Sequence, residues 1–118
     1  KEVDPRAYAA VVLAGGWGAL WDFPETMILH RAIGEIYQNG GIVAAIGAGV
    51  SGLLGVVSEG EPLVRGKKLT GLTNEECIAS GIEDRLPLLP ETVLLDWGAQ
   101  FVAKTIWKKH VQIDDRLI

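Results

Sequence analysis

Cysteine is almost missing from this chain of 118 residues: Cys77 stands alone. No internal disulfide can form, so a reducing, cytoplasmic compartment is the default expectation. Excess positive charge is missing too. Eleven Lys and Arg face fifteen Asp and Glu, giving a net charge of -4 and an isoelectric point near 5.1. That balance argues against a nucleic-acid or anionic-membrane partner. The longest apolar run, Ile42–Val57, is interrupted by glycines and falls short of the ~20 residues that span a bilayer. Lys1–Tyr8 is too polar to open a signal peptide. Histidine is limited to His30 and His110, neither at ligand spacing from another His, Cys or carboxylate, so no metal site is expected. His30 is expected at the surface or its boundary, and His110 at the start of a terminal strand.

Glycine and apolar residues are what the chain has in quantity: 15 glycines and 48% apolar residues against 22% charged. Such a profile fits a buried parallel sheet with tight turns between strands and helices. The length allows one domain, residues 1–118. The organising stretch is Ile42–Val56. Ile42–Ile46 reads as a strand buried on both faces, Gly47-Ala48-Gly49 as a turn, and Val50–Val56 as the first turns of a helix. Backbone N–H groups at such a helix start would favour negative charge.

Around it, Asp4-Pro5 reads as a turn and Tyr8–Leu13 as a second buried strand, ending in the glycine-rich turn Ala14–Gly18. Apolar spacing predicts a helix over Glu25–Gln38, started by Asp22 and Pro24 and stopped by Asn39-Gly40-Gly41. Leu63-Val64 and Lys68–Thr70 suggest a hairpin about Arg65-Gly66-Lys67. Thr73–Glu76 can cap a short helix that reaches Ser80 and ends at Gly81, and Pro90–Trp97 is a further helix closed by Gly98. Phe101–Lys104 and His110–Ile113 read as strands, and Leu117-Ile118 as the middle of another. Alternating strands and helices predict an α/β sheet with ligands at the strands' C-terminal ends, so Gly15–Trp17 and Gly47–Gly49 should share one cleft.

Gly47-Ala48-Gly49-Val50-Ser51-Gly52 matches the dinucleotide fingerprint G-x-G-x-x-G, which would make FAD or NAD the cofactor. Gly47, Gly49 and Gly52 would admit the pyrophosphate, and Glu75 would serve as the acidic ribose ligand, somewhat beyond the usual ~20-residue offset. Against this stand Gly52 and Gly55 inside a short helix, a strand and helix ahead of the motif, and a hairpin where a second parallel strand is needed. Glycine turns of this kind also arise from packing alone in any doubly wound fold.

A second reading comes from resemblance. Tyr8–Trp21 (YAAVVLAGGWGALW), Ile42–Val56, Leu63–Thr73 (LVRGKKLTGLT) and Asp114–Ile118 (DDRLI) stand in the order seen in the ThiJ/PfpI, or class I glutamine amidotransferase-like, superfamily. They look most like its heat-shock chaperone and glyoxalase III branch. The resemblance implies a flavodoxin-like, doubly wound α/β fold with a mainly parallel sheet and helices on both faces. It also implies that the first βα units and a Thr-Gly-Gln-Asn-Pro-like segment after Ile118 are absent.

The same resemblance puts the family's nucleophilic cysteine at Gly47, its adjacent histidine at Ala48 and its orienting acid near Cys77, beside Glu76. The family's Pro-Gly-Gly-His-Gly turn reads Ala14-Gly15-Gly16-Trp17-Gly18 here. A glycine can attack nothing. The implied protein therefore lacks the usual cofactor-free chemistry and acts by binding, as a chaperone-like or stress-related pseudoenzyme. Ligand candidates are Gly15, Gly16, Trp17, Gly47, Ala48 and Gly49. The alternative is a glyoxalase, lyase or hydrolase that uses groups outside this chain.

Cys77 as a relocated nucleophile is disfavoured, because Glu75 and Glu76 raise a thiol pKa and no histidine is near in sequence. Ser51 lies outside a G-x-S-x-G arrangement and suits packing or capping. Trp17 and Trp21 could line a cleft or a dimer surface, while Arg65, Lys67 and Lys68 fit a solvated hairpin. Exposed sheet edges predict a homo-oligomer, or a second polypeptide supplying the missing half.

Overall fold

A computed structural model describes residues 3–118, so Lys1 and Glu2 of the polar lead-in lie outside the described residues. Strand β1 (Ala10–Leu13) pairs in parallel with β2 (Ile42–Ala45), Ala10 opposite Ile42 and Leu13 opposite Ala45. Between them run a one-turn helix α1 (Ala19–Asp22) and the amphipathic α2 (Met27–Gln38). Helix α2 starts two residues later than its apolar spacing predicts. Phe23-Pro24-Glu25 winds into a 3-10 turn, and the Thr26 hydroxyl donates to the Asp22 carbonyl.

Side chains alternate across the sheet. Leu13 and Val43 point into the core against Ile33 and Tyr37 of α2. On the opposite face Val12, Ile42 and Ile46 remain 60%, 41% and 62% exposed. This face is uncovered in the chain as described. Among the described residues no helix is long and apolar enough to cross a membrane.

Arg116–Ile118 adds a third parallel position. The amides of Val43 and Ala45 donate to the carbonyls of Arg116 and Ile118 at 2.9 Å each, and Leu117 bridges Val43. The Arg116 guanidinium lies 4.0 Å from the centroid of the Tyr37 ring and donates to the carbonyls of Tyr37 and Gly41. Tyr37 in turn donates its hydroxyl to Asp115 at 3.1 Å.

Four expectations need correction. Gly47–Leu53 is a seven-residue 3-10 helix rather than an α-helix over Val50–Val56. Glycine disfavours α-helix by ~1 kcal/mol per residue relative to alanine, and Gly55 at φ +93° ends the winding. Lys68 and Leu69 form no hairpin with Leu63-Val64. They make β5 (Lys68–Leu69), which pairs in parallel with β6 (Gln100–Phe101) across two helices. The hairpin is one turn earlier, between β3 (Val57–Ser58) and β4 (Glu61–Pro62). Its loop residues Glu59 and Gly60 both have positive φ, as a type I′ turn requires.

The strand read over Phe101–Lys104 shrinks to Gln100–Phe101, and His110–Ile113 is no strand. Val111 and Ile113 are 61% and 62% exposed, so their alternation meets no neighbouring strand. The short helices follow their sequence signals. Helix α3 (Asn74–Ala79) opens on a capping box in which Thr73 and Glu76 satisfy each other's backbone N–H groups, and Gly81 follows at φ +74°. Helix α4 (Pro90–Asp96) starts on its proline, with Gly98 at φ +94° beyond its end.

Candidate functional site

The turn after β2 is held by short backbone bonds. Gly49 N–H donates to Ile46 O at 2.9 Å, and Leu72 N–H donates to Gly47 O at 3.1 Å. Gly47 takes φ +57°, and a Cβ placed on it would meet no atom within 4 Å. It is a left-handed residue facing open space. Its neighbours are the reverse. A Cβ on Gly49 would lie 2.2 Å from Leu13 O, one on Gly52 would lie 2.9 Å from Leu13 Cδ1, and one on Gly15 would lie 2.3 Å from Ile46 O. The turns after β1 and β2 therefore interlock through Gly15 and Gly49, and packing against backbone requires glycine at Gly49, whereas at Gly52 only the ends of the Leu13 and Phe23 side chains would have to give.

Beside Gly47 opens a cleft of about 340 Å³, walled by Gly71, Glu76, Lys104, Lys108 and His110 among others. Of the glycine-turn candidates only Gly47 reaches it. Gly15 and Gly49 form the interlock behind it, Gly16 is in open space, and Trp17 is 38% exposed elsewhere. The expectation that Gly15–Trp17 and Gly47–Gly49 share one cleft is thus corrected: of these residues the cleft takes Gly47 alone. Ala48 is buried with Ala19, Leu20, Leu72 and Cys77 in a small apolar cluster. Glu75 is exposed on α3, outside the cleft.

Glu76 enters the cleft from the first turn of α3. Its Oε1 accepts from Thr73 N at 3.2 Å and from Thr73 Oγ1 at 3.0 Å. Cys77, one residue on, is turned fully into the core. Burial pushes its thiol up, and Glu76, Glu91 and Glu83 push it further, which is the reverse of what a nucleophile needs. Ser51 Oγ donates to Ala19 O at 2.9 Å and is buried, a packing role. His30, expected at the surface or its boundary, lies deeper than that. It is buried, Nε2 stands 2.7 Å from Phe23 O, and its ring fills the space a side chain on Gly55 would occupy.

Sequence reasoning missed Lys104 and Lys108 as site residues and treated His110 only as a strand end. The available signal was a run of basic residues, Lys104 to His110, in an otherwise acidic chain.

No family model matches the chain. Over its whole length it is 32% identical to the glutathione-independent glyoxalase HSP31 of Saccharomyces cerevisiae, spanning 53% of that protein. It superposes on the crystal structure of Francisella tularensis Rapid Encystment Protein 24 KDa with a TM-score of 0.95. That match has 32% identity and covers 98% of this chain and 52% of the other. The chain belongs to the ThiJ/PfpI superfamily. Glyoxalase III from Candida albicans, a further structural match, superposes with a TM-score of 0.90 at 28% identity, over 98% of this chain and 51% of that one. The flavodoxin-like α/β fold of the ThiJ/PfpI superfamily is therefore the fold here. The chain spans about half the length of the curated ThiJ/PfpI relatives it matches over its full length.

Proposed function

We propose that this chain is a ThiJ/PfpI member that keeps the backbone of the nucleophile elbow without the nucleophile, and that it works by holding a small molecule or a partner protein non-covalently. One observation carries this reading: Gly47 is in the left-handed region with its Cβ position open beside the cleft. A strained turn that aims a side chain into a pocket is the geometry of a nucleophile elbow. The one thiol is buried with a raised pKa, so no cysteine of this chain replaces the missing group. Ala48, at the position of the family's histidine, is buried in a small apolar cluster with Leu20 and Leu72 and carries no group that could take a proton.

The heat-shock name of the yeast relative supports a chaperone-like role, and the single cysteine supports a reducing, cytoplasmic setting. The uncovered sheet face supports self-association or a second polypeptide as partner. The names of the relatives favour a second reading, a glutathione-independent glyoxalase completed by groups outside this chain.

The test is turnover of an α-oxoaldehyde, with methylglyoxal as probe and no glutathione, by the chain and by Gly47→Cys. No turnover by the wild type is expected. Gly47→Cys is expected to fold and to react with a thiol reagent in its native state. Robust wild-type turnover would overturn the non-catalytic reading. Native mass spectrometry of the same preparation decides a third matter: a bound mass equal to FAD or NAD would instead establish the Gly47-x-Gly49-x-x-Gly52 fingerprint.

A further inference from the structure

The cleft beside Gly47 has a charge pattern that narrows its ligand. We infer that it is a binding site for a small monoanionic carboxylate, held by Lys104 and Lys108 with His110 beside them. The inference rests on reading the Gly47 cleft as a ligand site, and it names the ligand's chemistry.

Lys104, Lys108 and His110 wall the cleft, yet among the described residues none has a carboxylate oxygen within 4.0 Å. The whole chain is acidic, at -4, so unpaired basic side chains gathered on one concavity are not a reflection of bulk composition. Surface lysines usually lie in solvent. Here the loop after β6 brings two of them to the C-terminal end of β2, where α/β folds place their ligands.

The other charged group in the cleft limits the ligand's charge. Glu76 stays in place through its bonds to Thr73, so its carboxylate faces whatever the lysines attract. Two ammonium groups and one carboxylate leave a single net positive charge, which one ligand carboxylate neutralises and which a dianion would leave with an uncompensated negative charge beside Glu76. Size agrees: about 340 Å³ lies near the lower end of the range for small-molecule sites. The missing side chain at Gly47 enlarges that end of the cleft. Ammonium–carboxylate contacts here are charge-assisted but made by exposed lysines, so the two together should matter by about tenfold in affinity.

The experiment is amide chemical-shift titration of the ¹⁵N-labelled chain with sodium propionate, its neutral isostere propionamide, and inorganic phosphate. Propionate should shift the amides of Gly47, Gly71 and His110 saturably, while propionamide should leave them unmoved. Lys104→Gln/Lys108→Gln should weaken propionate binding by about tenfold. Both lysines are exposed loop residues, so the variant's dispersed amide spectrum verifies its fold. Lys109→Gln, on the same loop but outside the cleft, should bind as the wild type does.

Equal effects of propionate and propionamide, undiminished binding by the double variant, or equal weakening by Lys109→Gln would each overturn the site. Phosphate binding tighter than propionate would overturn the monocarboxylate assignment. Methylglyoxal turnover overturns only the non-catalytic reading, because these shifts are read without catalysis.

Discussion

Gly47 and Gly49 are separated by one residue, and alanine should distinguish them sharply. At Gly49 the added methyl would stand 2.2 Å from Leu13 O, against backbone that is pinned in the β1–β2 ladder. Overpacking of that kind costs about 3 kcal/mol or more. At Gly47 the methyl meets nothing, and the left-handed conformation alone costs about 1 kcal/mol. Urea denaturation should rank them so; equal losses would mean that the interlocked turns yield. Cys77 makes a prediction in pH. Its thiol is raised by burial and then by Glu76, Glu91 and Glu83, so the folded state holds the proton more firmly than the unfolded chain. The associated stability is complete below the ordinary thiol value of about 8.5 and is lost as pH rises from there toward the raised value. Cys77→Ala should therefore flatten the alkaline fall of the urea midpoint, and an unchanged slope would assign that fall to other groups.

At the scale of elements, Thr73→Ala removes one half of the capping box and should destabilise the protein by ~1 kcal/mol, with the loss of amide protection concentrated in Asn74–Ala79. This box was legible in the sequence because its partners are three residues apart. The same holds for α2, whose Ile33, Ile36 and Tyr37 recur at helical spacing, and for the glycine ends at Gly81 and Gly98. Pairings set at long range were not legible. Lys68-Leu69 looks like half of a hairpin locally, yet its partner is Gln100–Phe101, beyond both α3 and α4. The 3-10 winding of Gly47–Leu53 is equally invisible, since it depends on how closely Gly49 and Gly52 approach Leu13. The cleft was half legible. Gly47 and Glu76 come from recognisable turns and caps, whereas Lys104, Lys108 and His110 reach it only through the path of an irregular loop.

For the whole molecule, the uncovered face at Val12, Ile42 and Ile46 predicts association. Light scattering should give at least twice the 12.7 kDa chain mass at high concentration, and Val12→Lys should shift the population toward the monomer; a wild-type monomer throughout would refute this. The Arg116–Ile118 edge of the sheet has a different consequence, in the order of folding. The two edges of β2 are read by alternate amides: Ile42 and Ile46 donate toward Ala9 and Leu13, while Val43 and Ala45 donate toward Arg116 and Ile118. The first edge closes through some thirty residues of chain and the second through more than seventy, with a correspondingly larger loop entropy. A chain emerging from the ribosome can seal the first while the second still waits for residues not yet made. In pulsed exchange during refolding, Ile42 and Ile46 should be protected first and Val43 and Ala45 later, as one strand is sealed from its two sides at two different times.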